Sequence, residues 1–513
     1  MADSILISGA PLRGEQVVAV AERGAEVGLD PALRERMAPA CRLVETVVEE
    51  GRTVYGITTG FGALASTRIE PSRAEQLQLE LLRSHACGVG GPLPDDMVRA
   101  MLVLRARTLA QGHSGVRPVV VERLLDLLRL GLLPVVPGQG SVGASGDLAP
   151  FAHLALPLVG EGVVRVGGVV LPAAEALAGH GLEPLRLRAK EGLSLLNGTE
   201  GMLAFGVLGS HRAWLLARGA DLACAMSVEG LLASERPFRD AVHRLRPHPG
   251  QAASAEVVRR LLAGSGIVAS HCDDFDHAVQ DAYSLRCAPQ VHGAVRDTLD
   301  HADAVFGREL GAVVDNPIVF PEEGEIISAG NFHGQPLAFA LDFMAIAVTE
   351  LGSISERRTD RMLDPNHSEG LPPFLAVEPG LHSGYMLAQY TAAALVAENR
   401  VLSHPASVES IPTSGSQEDH VSMGWGAGRK LVQVLQNTAR VIAVELVCAA
   451  RALDLRAPLR PAPGTAAVLA AIRERVPPME GDRSLSAEIE AVAEILLDGS
   501  LVAAATAAVG ELP

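Results

Sequence analysis

Leu431-Val432-Gln433-Val434-Leu435-Gln436-Asn437-Thr438-Ala439-Arg440-Val441-Ile442-Ala443-Val444-Glu445-Leu446 lies inside residues 428–456, a stretch that sustains one apolar stripe for over twenty residues. Residues 333–358 do the same. A long helix with an apolar stripe must bury it, and two such helices bury theirs against each other, so a helical bundle follows. The fold class expected is mainly α: a long-helix central bundle with a smaller N-terminal mixed region. Working outward, the chain reads as strongly helical from about Gly201. Arg460-Pro461-Ala462-Pro463-Gly464 breaks the pattern, and a short helical tail follows. Upstream, residues 15–50 read as two helices with apolar positions around Val17, Val20, Leu43 and Val47. Tyr55 to Gly62 is a glycine-punctuated loop, and residues 72–132 alternate helices with short polar breaks. Val163 to Leu171 reads as a hairpin, because Gly167-Gly168 sits between alternating valines. The expected regions are 1–200, 201–460 and 461–513.

Composition bounds the function. The chain has 513 residues, too many for one ordinary core, and 48% are hydrophobic but only 3% aromatic. The interior is therefore built from Leu, Val, Ile and Ala, and Ala and Leu favour helix. A net charge of −17 repels phosphate backbones and anionic membranes, so neither nucleic acid nor a membrane surface is an expected partner. Cys41, Cys87, Cys224, Cys272, Cys287 and Cys448 are scattered without Cys-x-x-Cys spacing, which suggests reduced thiols and a cytoplasmic setting. Met1-Ala2-Asp3-Ser4 has no basic n-region. Asp342, Glu350, Glu445 and Arg451 interrupt the apolar helices, so no membrane span is expected. There is no Walker motif and no His-Glu-x-x-His, so neither a nucleotide nor a metal is called for.

The mixed N-terminal region holds Gly140-Ser141-Val142-Gly143-Ala144-Ser145-Gly146-Asp147-Leu148-Ala149-Pro150. An Ala-Ser-Gly triplet in a glycine-rich turn can build an electrophile from its own backbone. The Gly146 nitrogen attacks the Ala144 carbonyl carbon and closes a five-membered ring. Water leaves from Ser145, whose side chain becomes a methylene, equivalent to 2,3-didehydroalanine. The product is a methylidene-imidazolone. Ser145 alone of the three has a β-leaving group, and Gly146 has no Cβ to block the attacking nitrogen. The plain alternative is a turn, which such residues usually mean. Asp147 and Pro150 are start signals for a helix, with Asp147 as its cap. The dipole of that helix would draw electrons from the ring.

The eleven residues from Gly140 to Pro150 resemble the cofactor-forming signature of the aromatic amino acid lyases, and the resemblance runs from about Tyr55 to about Leu455. It implies a helical bundle, a homotetramer, and active sites that each draw residues from three subunits. Tyr55 in Tyr55-Gly56-Ile57-Thr58-Thr59-Gly60-Phe61-Gly62 and Tyr283 in Gln280-Asp281-Ala282-Tyr283-Ser284-Leu285-Arg286-Cys287 match essential tyrosines of the family. A phenol near an electropositive helix end loses its proton more easily and acts as a base; the bland reading is a core filler. By the same matching, Arg286 holds the substrate carboxylate through a bidentate pair. Asn197 contacts the ring or the substrate amino group, Asn316 lies in Asp315-Asn316-Pro317, and Phe332 shields the electrophile. Surface and turn roles are the ordinary alternatives for Arg286, Asn197 and Asn316. Thr58 stands where the family often has Asn.

Two residues speak to substrate. His85 sits in the motif Ser84-His85-Ala86-Cys87-Gly88, where related lyases set ring specificity. Glu418 lies in Gln417-Glu418-Asp419-His420, and Ser416 to Asp419 also reads as a capping box for the following helix. A carboxylate in a pocket pairs with an imidazole N–H, whereas a phenyl ring leaves it unpaired at a cost. The resemblance therefore implies conversion of L-histidine to trans-urocanate and ammonia, the opening step of histidine degradation. Either the amine or the imidazole ring attacks the electrophile. The nearer alternative is a tyrosine or phenylalanine ammonia-lyase or aminomutase with the same electrophile. A metallohydrolase using histidines such as His277, His292 and His301 is the alternative from another class.

Overall fold

The computed structural model describes residues 4–271 and 279–513. Helices dominate, and the strands are short and confined to small sheets. The two apolar stripes become the helices Gln335–Leu363 and Gly424–Leu455, joined by Glu200–Gly230 and Ala288–Glu309 as the longest elements. Residues 441 to 450 are all buried, so the second of these helices is enclosed on every side there rather than along a stripe. Both apolar helices are long enough to cross a membrane by length and composition, yet most of each apolar window is buried inside the protein.

The chain forms two compact units that interleave along the sequence. The first comprises residues 1–208, 303–342 and 405–429, and the second 209–302, 343–404 and 430–513. Division at 200 and 460 therefore describes the order of the helices rather than these compact bodies. In the first unit, Gly14–Arg23 and Pro31–Glu49 are the two early helices, followed by Ala74–His85, Asp95–Leu109 and Pro118–Arg129. Val163–Val166 and Val169–Pro172 pair antiparallel through Gly167 and Gly168, both at positive φ, as the valine alternation predicts. Leu133–Pro134 adds a third strand that the sequence did not announce. In the second unit, Pro463–Arg473, Ser486–Leu497 and Ser500–Val509 form the helical tail.

Candidate active site

Backbone conformation makes the Gly140–Pro150 turn what it is. Gly143, Ser145 and Gly146 all have positive φ, at 75°, 52° and 83°. An L-residue such as Ser145 rarely adopts this region, which marks the turn as held by its surroundings. Gly146 bridges to Gly198, and a Cβ at Gly146 would sit 2.0 Å from the Gly198 carbonyl oxygen. A Cβ at Gly143 would sit 2.2 Å from the Ser422 hydroxyl. The Ser141 hydroxyl takes the Gly143 N–H at 3.1 Å, and the Asp147 N–H donates to the Gly198 carbonyl at 2.8 Å. The helix Leu148–Ala155 starts directly behind the triplet, so its N-terminal N–H groups lie beside Ser145.

Asp147 occupies the N-cap position of that helix, and its carbonyl accepts the Phe151 N–H at 3.1 Å, but its side chain makes no capping bond there, so the plain helix-cap alternative is met only by the backbone. Its carboxylate accepts from the Met202 N–H at 2.8 Å, in the first turn of Glu200–Gly230. It is fully buried, and burial pushes its carboxyl up to about 7 against the pull of the Met202 bond. A compact acid side chain here ties the cofactor turn to the start of a long helix.

The turn opens into a cavity of about 440 Å³, all within the first unit. Tyr55, His85, Ser145, Asn197 and Glu418 line it, with Phe61, Leu81, Leu148, Leu193 and Leu196 as apolar wall. Five of the residues singled out from sequence thus meet in one place, although they are spread over more than 360 positions. The Ser145 hydroxyl donates to Glu418 Oε1 at 3.4 Å, and Thr413 Oγ1 donates to Glu418 Oε2 at 2.8 Å. Glu418 is half-buried and sits in a bridge with Thr413. The capping-box alternative is not realised: Ser416 has φ 67°, and the next helix begins at Gly424.

Burial favours the neutral forms of two titratable groups in the cavity wall, His85 and Tyr55. Burial lowers the His85 imidazole, so it is neutral at pH 7. Its Nδ1 lies 3.0 Å from the Leu81 carbonyl, which only accepts, so Nδ1 carries the proton and Nε2 offers a lone pair. Burial also raises the Tyr55 phenol, with Glu418 adding to the effect and the Gly62 N–H opposing it. Tyr55 therefore keeps its proton at neutral pH, and the expected acidification of this phenol is not met. Desolvation is the largest influence on it. The Asn197 amide donates to the Asn316 carbonyl at 2.8 Å, while its Oδ1, buried at the cavity wall, has no hydrogen-bond partner among the described residues.

The other expected residues lie elsewhere. Asn316 is buried, and its Oδ1 takes the Ala329 N–H at 2.8 Å, so it braces Asn197 from behind. Phe332 is half-buried and is not among the cavity-lining residues. Tyr283 and Arg286 belong to the second unit, where Tyr283–Arg286 is a short helix. The Tyr283 ring is 71% exposed, so it is not a core filler, and the Arg286 guanidinium stacks on it at 4.5 Å. Thr58 holds the local loop by donating to the Arg52 carbonyl, so the asparagine often found there in the family is not needed to close it.

Sequence reading missed Thr413, Ser141 and Arg105. Arg105 is fully buried, pairs with Glu200 at 2.7 Å, and donates to the Ser194 and Asn197 carbonyls, fixing the segment that faces Gly146. No local motif announces it, because all three partners lie about ninety residues away. Among the described residues there is no group of three or more His, Cys, Asp or Glu suited to a metal. His277 lies outside the described residues, and His292 is bound to Asp221 at 2.7 Å.

A strained Ala-Ser-Gly turn thus stands at a helix start and faces a carboxylate and a neutral histidine in a helical protein. Residues 12–474 match the aromatic amino acid lyase family, and the chain belongs to that family. It is 54% identical to a histidine ammonia-lyase of Gloeobacter violaceus, with 100% of this chain and 99% of the relative aligned. Among solved structures, a histidine ammonia-lyase from Trypanosoma cruzi superposes with a TM-score of 0.91 at 41% identity, covering 99% of this chain and 96% of that one. A tyrosine aminomutase from Streptomyces globisporus superposes with a TM-score of 0.95 at 40% identity, covering 100% of both chains.

Proposed function

We propose that the protein is an ammonia-lyase that converts L-histidine to trans-urocanate and ammonia, using a methylidene-imidazolone made from Ala144, Ser145 and Gly146, as a cytoplasmic homotetramer. The observation that carries this reading is the pairing of Ser145, in its left-handed turn, with Glu418 across the cavity. The residues present fit the ring: Gly146 leaves no room for a Cβ, and Asn197, whose buried Oδ1 has no hydrogen-bond partner among the described residues, lines the same cavity. The ring supplies an electrophilic carbon that makes a poor amine leaving group depart more readily.

The chain's own residues do the rest. Glu418 accepts an imidazole N–H of the substrate, and Thr413 holds the second carboxylate oxygen so that the first points into the cavity. His85 lines the same cavity, with its Nδ1 held by the Leu81 carbonyl so that the ring is fixed in place. The apolar wall excludes water around the ring. A phenyl or phenol ring offers no N–H to Glu418, which supports histidine over the tyrosine and phenylalanine alternatives. Arg286 pairs with the substrate carboxylate, and a tyrosine, Tyr283 or Tyr55, acts as the base that removes the β-proton.

Exposure of Tyr283 and its absence from the cavity wall support sites shared between copies. Phe339, Phe343, Ile346, Leu387, Tyr390 and Val401 are likewise exposed on long helices, as an assembled bundle requires. The test is the mass of the purified chain. A deficit of two waters should map to the peptide containing Ser145, and L-histidine should yield urocanate. A full-mass chain with no deficit at that peptide refutes the reading.

A further inference from the structure

Deep in the second unit, the four long helices each place one charged or titratable side chain in a single buried cluster. Arg358 comes from Gln335–Leu363, Glu445 from Gly424–Leu455, His292 from Ala288–Glu309 and Asp221 from Glu200–Gly230; all four are fully buried. Glu445 grips Arg358 in a two-pronged pair, with Nη2 to Oε2 at 2.8 Å, and takes two further donors from Ser227 and Ser355 at 2.7 and 2.6 Å. Asp221 accepts from Arg296 at 2.8 Å and from Ser254, and lies 2.7 Å from His292 Nδ1. Arg358 Nη1 approaches His292 Nε2 at 3.3 Å. A guanidinium only donates, so Nε2 accepts and Nδ1–H donates to Asp221. His292 is thus a neutral imidazole of one tautomer, consistent with burial lowering its affinity for a proton.

This cluster has more ionic partners than a core needs, since buried pairs rarely gain over apolar packing. One arm leads out of it. Arg358 Nη1 also donates to the Ser284 carbonyl at 3.2 Å, in the middle of the turn Tyr283–Arg286. The same turn is tied at its start, where Asp281 accepts the Ser234 N–H at 3.0 Å and the Asp281 carbonyl takes Arg286 Nε at 2.9 Å.

We propose that Arg358, oriented by Glu445 and His292, is a positioning residue for the deamination, fixing the Ser284 carbonyl and so the direction in which Tyr283 and Arg286 are presented. The proposal rests on the reading that Arg286 binds the substrate carboxylate. A shift of about 1 Å in a positioning element costs on the order of 100-fold in rate, so the effect is large enough to see.

The experiment compares Arg358→Lys, which keeps a cation opposite Glu445 but loses the forked arm, with His292→Phe, which leaves the Arg358–Glu445 pair whole. The second variant serves if the first does not assemble. Each is checked for its circular dichroism and for the two-water deficit at the Ser145 peptide, which report folding and ring formation. The expected result is a fall in kcat/KM for L-histidine on the order of 10–100-fold, with KM raised. Inhibition by urocanate, which carries a carboxylate, should weaken, while inhibition by 4-vinylimidazole, which lacks one, should hold. Wild-type kinetics and an unchanged inhibitor ratio in the folded Arg358 or His292 variants overturn the proposal. If Arg286→Ala itself spares urocanate binding, the reading of Arg286 fails instead.

Discussion

At Ser145 and Glu418 the proposed chemistry turns on single atoms. Ser145→Ala removes the only β-leaving group of the triplet. Its mass deficit should vanish, and activity should fall by roughly three orders of magnitude or more, while circular dichroism stays unchanged. Glu418→Gln keeps the shape but swaps a charged acceptor for a neutral amide. Loss of one charge-assisted hydrogen bond predicts a drop in histidine turnover on the order of 10–100-fold, with the ratio of phenylalanine to histidine turnover rising. Unchanged histidine kinetics would remove the specificity argument. These two residues were legible from their motifs. Thr413 was not, because its role is to aim Glu418, and aim is a property of the folded turn.

Between elements, the Ala144-Ser145-Gly146 turn is held by contacts that join separate helices. Gly146→Ala would drive a methyl group to 2.0 Å from the Gly198 carbonyl oxygen, at a φ of 83° that alanine resists. The turn should open, the mass deficit should be lost, and stability should drop by at least about 1–2 kcal/mol in chemical denaturation. Asp147 carries a pH prediction. Its folded value near 7 lies above its unfolded value of 3.8, so the folded chain binds more protons between those limits. Stability from this group is then lost as pH rises from about 4 to 7, by up to roughly 4 kcal/mol. Asp147→Asn should flatten that part of the denaturation profile, and an unaltered slope would show that the carboxyl is ionised in the native state. The start of the helix at Leu148 could be read from Asp147 and Pro150, but the partner of the Asp147 side chain could not. The carboxylate turned instead to Met202, whose N–H opens a longer helix that local pattern cannot weigh.

Across the whole molecule, the cavity and the Tyr283–Arg286 turn belong to different compact units. If sites are shared between copies, two inactive variants should rescue each other. Ser145→Ala and Tyr283→Phe chains, co-expressed, should form mixed assemblies that regain part of the wild-type rate, because one copy supplies an intact ring and another an intact tyrosine. No activity above that of either variant alone would argue for sites built within one chain. The helical bundle itself was legible from the stripes at 333–358 and 428–456. The interleaving of the units was not, because long helices run on from one compact body into the next, whereas sequence reading cuts the chain at breakers such as Arg460–Gly464.

By itself the amino-acid order determined the helices, through apolar spacing and breakers, and singled out the Ala144-Ser145-Gly146 triplet, through the one serine with a leaving group between two small residues. It also named Tyr55, His85, Asn197 and Glu418, because motifs carry residue types. Only the tertiary structure decided which of these share a cavity, that burial favours the protonated Tyr55 and the neutral His85, and that Arg105 and Arg358 hold the backbone at Asn197 and Ser284. Desolvation and hydrogen-bond partnership depend on neighbours distant in the chain, and no local stretch of residues contains them.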